Sequence, residues 1–339
     1  MSHRNQAIAI GLTDHLEGPA DRPSAEIFAE VAELVSLADE LGVRYAWFAE
    51  HHAHAHFGHL PTPLLFALHL AGRTKQIHLG SAIVCLNLHH AFDVAEQVAV
   101  ADLLCNGRLA PGFGSGSTPE EFTLFGLKET GDEERHARFE EALRIIRWAW
   151  GDERPLPPLR YLSAPSQRAL PVPLPNLPNR CWLAVNSVGS ARIAGLFNFN
   201  MLFSHLRTPE QYRQYRAAYT AAGGTRQIAA NRPVFVAADD ATAFELVEPA
   251  LRTLWRRFQK EGKIPANLSE PTSPANLCAH PINFIVGGPS SVARQLLELH
   301  AQAPFDVANV EVRWAGLSHS LVCDNLKRLM RDVVPLLHT

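Results

Sequence analysis

In residues 45–63, YAWFAEHHAHAHFGHLPTP, an apolar aromatic run ends in Glu50 and is followed by five histidines, His51, His52, His54, His56 and His59. An imidazole titrates near neutral pH and can accept or donate a proton. Alternate side chains of an extended segment point the same way, so His54 and His56 also have the spacing of a zinc pair. In barrel metallohydrolases such a pair closes the first strand and needs further histidines and an aspartate at later strand ends. Here it lies beyond Glu50-His51-His52, so no metal is expected, and His54, His56 and His59 are read as a loop bordering a pocket. Three other stretches carry polar groups at apparent strand ends. CLNLHH supplies Asn87, His89 and His90. GFGSGS supplies Gly112, Gly114, Ser115 and Gly116, whose amides can approach an anion. NSVGS places Asn186, Ser187, Val188, Gly189 and Ser190 at a strand-to-helix turn, where open amides and the helix dipole favour phosphate and where serine also serves as an N-cap.

Something must bring these stretches together. Short apolar runs alternate with amphipathic segments along the chain. Strands are expected at 8–12, 45–50, 77–84, 108–116, 182–187, 201–204, 232–237, 282–288 and 309–314. Helices are expected at 24–41, 64–73, 91–104, 133–150, 190–197, 209–222, 240–260, 290–301 and 325–337. Roughly eight β-then-α units imply a parallel sheet, and eight in one run favour an α/β TIM (β/α)8 barrel with insertions over an open doubly wound sheet. No GxGxxG follows the first strand, which weighs against a dinucleotide fold. The 339 residues exceed the about 250 of a barrel. The proline-rich stretch near 151–180 and the stretch near 262–281 are the expected insertions within one domain spanning 1–339, the first of them a candidate lid.

A composition of 47% hydrophobic and 19% charged residues provides for a large core, and a formal net charge of −3 gives no electrostatic case for nucleic acid. No long uncharged apolar run suggests a membrane span, and MSHRNQAIAIGLTDH lacks the pattern of a signal peptide. Cys85, Cys105, Cys181, Cys278 and Cys323 are odd in number and scattered, with no CxxC pair. The expectation is a cytoplasmic protein.

AWFAEHH, followed by GRTKQIHLGSAIVCLNLHHAFDVAEQVAVADLLCNGRLAPGFGSG, resembles the bacterial luciferase-like flavin-dependent monooxygenases over roughly residues 40–150. WLAVNSVGSARIAG and FIVGGPSSVARQLLEL extend the likeness more loosely. The resemblance implies a TIM barrel that uses reduced FMN from a separate flavin reductase, activates O2 as a flavin peroxide and oxygenates a small organic substrate. A related branch uses a deazaflavin for hydride transfer without oxygen, and a non-catalytic flavin-binding paralogue is a further alternative. The family's base matches His51, with His52 in support. Its cofactor positions match Ser81 and Ala82 under the ring, Asn87 at the ring edge, Gly114 and Ser115 in the glycine loop, and Asn186, Ser187, Val188, Gly189 and Ser190 around the phosphate. A homodimer through the helices near strands two and three is also implied. The chain departs from the pattern at Ala91 (usually proline), Cys105 (usually serine), Ser115 (an arginine in bacterial luciferase) and Asn186 (a glutamate).

Overall fold

A computed structural model describes residues 8–53, 58–128, 130–279, 282–314 and 316–338. Its strands are β1 (Ala9–Asp14), β2 (Tyr45–Phe48), β3 (His78–Ser81), β4 (Val84–Cys85), β5 (Gly112–Gly114), β6 (Trp182–Val185), β7 (Asn200–Phe203), β8 (Ile228–Val236), β9 (Ile285–Gly287) and β10 (Val307–Glu311). The helices used below are α1 (Ser24–Glu40), α2 (Pro63–Ala71), α3 (Ala91–Leu104), α4 (Pro119–Leu124), α5 (Asp132–Ala149), α6 (Val188–Phe197), α7 (Pro209–Ala221), α8 (Asp240–Lys260), α9 (Pro274–Cys278), α10 (Pro289–Gln302) and α11 (His319–Arg328).

Every strand pairing is parallel, in the order β3-β2-β1-β10-β8-β7-β6-β5-β4. β3 and β4 are two halves of one stave, so the two ends of this order meet and close an eight-stave barrel. A bridge between Leu79 and Leu109 completes the closure. The sequence suggests one strand across 77–84, but the stave changes partner midway: His78–Ser81 pair with β2, and Val84–Cys85 pair with β5. The Ala82–Ile83 peptide between the halves is cis. β9 pairs with the upper half of β8, whose lower half pairs with β10.

Strand alternation decides what fills the barrel. Ala46 and Phe48 of β2 face the helices, Phe48 meeting Phe66 edge-on at 5.0 Å. Tyr45 and Trp47 turn inward, where Trp47 meets Trp182 edge-on at 4.9 Å. Trp47 also donates its indole N–H to the Ala110 carbonyl at 3.1 Å. Gly80 is needed here: a Cβ would lie 1.8 Å from the Ala110 oxygen and 3.0 Å from Trp47. These aromatics plug the lower barrel, so polar chemistry is confined to the C-terminal mouth.

The two insertions behave differently. Residues 152–176 carry neither helix nor strand. Glu141 of α5 accepts the amides of Arg160, Tyr161 and Leu162, while Asp102 of α3 accepts the Leu174 amide at 3.0 Å and the Arg180 guanidinium at 2.7 Å. Arg180 also reaches the Leu109 carbonyl at the start of a stave. The segment is thus fastened to α3, α5 and the lower barrel, and the lid expected from its composition is corrected to a strap at the opposite end. Arg108 donates to the Thr74 hydroxyl and to the Ile77 and Ala71 carbonyls. Residues 262–279 instead help enclose a second small core, in which Ile264, Leu277, Ile282 and Phe284 join Trp255 and Phe258 of α8 and Trp314. The last helix starts earlier than the periodicity suggests because Ser318 caps it, accepting the Leu321 amide.

Candidate active site

At the mouth, β2 delivers Glu50 and His51 into the loop that follows it. His51 is buried to about four-fifths of its side chain. Its Nδ1 lies 3.2 Å from Glu121 Oε1 on the short helix α4. A carboxylate only accepts, so Nδ1 carries the hydrogen and Nε2 is the basic nitrogen. The same Glu121 oxygen accepts the His52 amide at 2.9 Å. One carboxylate therefore fixes both the ring and the backbone of the pair. Burial pushes Glu121 up, but the bonds from His51 and His52 outweigh it and hold the carboxyl below its ordinary range. His51 is itself lowered, by burial first, against the raising influence of Glu121, and then by the neighbouring His15.

The His15 ring stacks on His51 with centroids 5.8 Å apart and planes 19° from parallel. His15 follows β1 and lies 3.5 Å from Glu311 at the end of β10. Glu311 is also 3.5 Å from His205 and accepts the Asn231 amide at 2.5 Å. Burial opposes ionisation at Glu311, yet the two imidazoles, His205 foremost, hold it well below the usual carboxylate range. A line of carboxylates and imidazoles, Glu121, His51, His15, Glu311 and His205, runs across the mouth.

On the other side of β2, Glu50 Oε1 accepts from His52 Nε2 at 3.1 Å and His89 Nε2 at 2.8 Å. Phe125 covers both rings edge-on. Burial raises Glu50, but its two imidazole bonds hold it below its ordinary value, and the Glu50 bond raises His89. These three side chains form a group whose ligand atoms lie within 4.8 Å of one another, the set among the described residues that could hold a metal ion. The bonds to Glu50 already satisfy one N–H on each ring. His52 thereby braces Glu50 rather than the mouth. His54 and His56 lie outside the described residues, and His59 Nδ1 bonds Ser24 at 2.9 Å.

The expected cofactor residues separate into groups. Ser81 is fully buried, and its hydroxyl donates to the Gly112 carbonyl and accepts the Gly112 amide, tying β3 to β5. Ala82 is half-buried, its amide on the Phe48 carbonyl. Asn87 donates to the Ser115 and Arg135 carbonyls at 2.9 and 3.0 Å, joining the glycine loop to α5. Gly114 packs against Ile83. Ser187 and Ser190 form a reciprocal capping box at the start of α6. Ser190 Oγ also accepts the Asn186 amide, and the Asn186 carbonyl accepts the Tyr215 hydroxyl. The amides of Val188 and Gly189 meet no acceptor among the described residues. His136 of α5 stands beside them: a Cβ on Gly189 would come within 3.3 Å of its Nδ1.

Glu121, His15, Glu311, His205 and His136 were not singled out by sequence. Glu311 had a signal, a charged residue at the end of a mostly apolar strand, and Asp14 ends β1 in the same way, with His15 directly after it. Glu121 had none beyond a helix start at Thr118-Pro119.

A model of the luciferase-like monooxygenase family matches residues 10–304. The chain belongs to the luciferase-like monooxygenase family. It is 37% identical over 122 residues, 36% of this chain and 32% of the relative, to the 4-hydroxyprotoasukamycin monooxygenase of Streptomyces nodosus subsp. asukaensis. It is 31% identical over 179 residues, 51% of this chain and 52% of the relative, to the F420-dependent glucose-6-phosphate dehydrogenase of Beutenbergia cavernae. The alignments span about a third to about half the length of the curated relatives they match. In fold, the chain is similar to the monooxygenase RslO1 from Streptomyces bottropensis, with a TM-score of 0.78 at 22% identity, covering 97% of this chain and 99% of that one. It is also similar to the oxygenating constituent of 3,6-diketocamphane monooxygenase from Pseudomonas putida in complex with FMN, with a TM-score of 0.75 at 21% identity over 97% and 98% of the two chains. Among the described residues, no helix is long and apolar enough to cross a membrane.

Proposed function

We propose that this chain is the oxygenase component of a two-component system, taking reduced FMN from a separate flavin reductase and using O2 to oxygenate a small organic substrate. The observation that carries this is the His51–Glu121 pair, an imidazole with a fixed tautomer at the mouth of a barrel whose lower half is filled with aromatics. The start of α6 fits an FMN phosphate. Two open amides lie at a helix N-terminus, and Gly189 leaves free the space beside His136 and Ser187 that a side chain would occupy.

Reduced flavin, when bound, supplies the electrons that activate dioxygen. The protein's own contribution is positional and protolytic. Val188, Gly189 and the capped turn would hold the phosphate, and Asn87 fixes the glycine loop against α5. His51 Nε2 takes a proton from the substrate or returns one to the product, while Glu121 retains the hydrogen on Nδ1 and stabilises the imidazolium. A second reading, hydride transfer with a deazaflavin, is supported by the F420-dependent relative.

The two readings separate in an anaerobic titration followed by the fluorescence of the buried Trp47 and Trp182. The oxygenase reading expects reduced FMN to bind more tightly than oxidised FMN and than reduced deazaflavin. Preference for the deazaflavin would replace it with the second reading. Exposed Leu65 on α2 and Val100, Leu103 and Leu104 on α3 support a homodimer through these helices.

A further inference from the structure

The Glu121–His51 pair accounts for one end of the polar line across the mouth, and the rest of that line has no role in the reading above. We propose that His15 is a positioning residue for His51: anchored by Glu311 and stacked on the His51 ring, it holds that ring in the orientation and the neutral state that a base requires. The proposal rests on His51 being the proton acceptor.

The contact is built into the backbone. Leu16 adopts a left-handed conformation with φ of 51°, its amide 2.6 Å from Asp14 Oδ1, and this turn follows directly on His15. The two loops are stitched together, the His59 amide donating to the Leu16 carbonyl at 3.1 Å and the His51 amide to the Leu60 carbonyl at 3.0 Å. Gly58 lies between them. A Cβ there would fall 2.0 Å from the His15 carbonyl oxygen, so any other residue would displace the His15 backbone, and the same Cβ would touch the His51 ring, 3.6 Å from its Cδ2.

The surrounding charges determine what the contact does. Around His51 stand Glu121 from α4 and His15 and Glu17 from the loop after β1. Around His15 stand Glu311 from β10, Asp14 and Glu17. Asp14 is held by Arg313 and Glu17 by Arg257, so neither is an isolated anion, while Glu311 faces only imidazoles and the Asn231 amide among the described residues. Burial draws His15 down, but Glu311 outweighs it and holds the ring above its ordinary value. His51 lies below its own. On acidification His15 therefore charges first, and His51 titrates against a cation stacked on its face. Like charges at this separation resist a second protonation. Glu311 thus acts on His51 through His15, at the opposite edge of the mouth.

Histidine-detected NMR titration of the full chain tests this, with the His51 resonance assigned by its loss in His51→Gln. In His15→Phe, which keeps a stacked ring without its charge, the His51 midpoint is expected to rise by about 0.5 to 2 units. In Glu311→Gln the His15 midpoint is expected to fall, a result available even if the first variant does not fold. An unmoved His51 midpoint in His15→Phe, or an unmoved His15 midpoint in Glu311→Gln, overturns the proposal. Wild-type turnover in His51→Ala would instead remove the catalytic reading and leave the measured coupling intact.

Discussion

In the proposed reaction His51 and Glu121 divide the work of a base between a nitrogen that would take the proton and a carboxylate that fixes which nitrogen it is. Glu121 raises the basicity of His51 while burial and His15 lower it. Removing the carboxylate therefore shifts the balance downward. Glu121→Gln is expected to move the acid limb of the rate–pH profile to lower pH and to reduce the maximal rate by about 10- to 100-fold as the tautomer loosens. Rates measured from pH 5 to 8 test this, and an acid limb moved upward would show that Glu121 does not act on the base. The histidine cluster divides otherwise than composition alone implies. His51 belongs to the mouth, His52 turns back to Glu50, and His59 joins Ser24.

At the scale of elements, two short connections position the site. The α6 capping box orders the turn whose open amides face the proposed phosphate position. Ser187→Ala is expected to lose about 1 kcal/mol of stability as an N-cap and to weaken reduced FMN more than it weakens riboflavin, since only FMN carries the phosphate. Equal weakening of both ligands would place the phosphate elsewhere. The start of β3 depends on Asp39 of α1, which accepts the amides of Lys75, Gln76 and Ile77 at 2.6, 2.9 and 2.7 Å. Burial raises this carboxyl, but the three amides prevail and lower it. A lowered folded pKa gives stability that is present above the unfolded value and is lost as pH falls through the folded one. Asp39→Ala is expected to cost about 2 kcal/mol near pH 7 and progressively less below about pH 4. Denaturant melts at the two pH values check the sign, and a constant difference would show that the charge is not what matters.

Over the whole molecule, the helices and most strands were legible because their periodicity is set by burial alone. α3 at 91–104 and α8 at 240–260 agree residue for residue with the spacing of their apolar positions. The broken third stave was not legible, because Ala82 and Ile83 are as apolar as their neighbours and the break reflects a change of strand partner. The 151–180 stretch was legible as irregular but not as lying at the lower end of the barrel, since that is decided by Asp102 and Arg180, 78 positions apart. The same limit hid Glu121 and Glu311, whose partners are 70 and nearly 300 residues distant. The exposed leucines of α3 carry an expectation of their own: light scattering should give twice the mass of the chain, and Leu104→Glu should shift it toward the monomer. A monomeric wild type would leave that face unexplained.

This mouth is proposed to hold reduced FMN and to control its reaction with oxygen. The most direct test mixes the anaerobic complex with oxygenated buffer and follows the absorbance in a stopped-flow instrument. The expected result is reoxidation far slower than that of free reduced FMN, through a species with neither the reduced nor the oxidised spectrum, with His51→Ala still binding the flavin. No binding of reduced FMN, or reoxidation at the rate of the free flavin, would contradict the account.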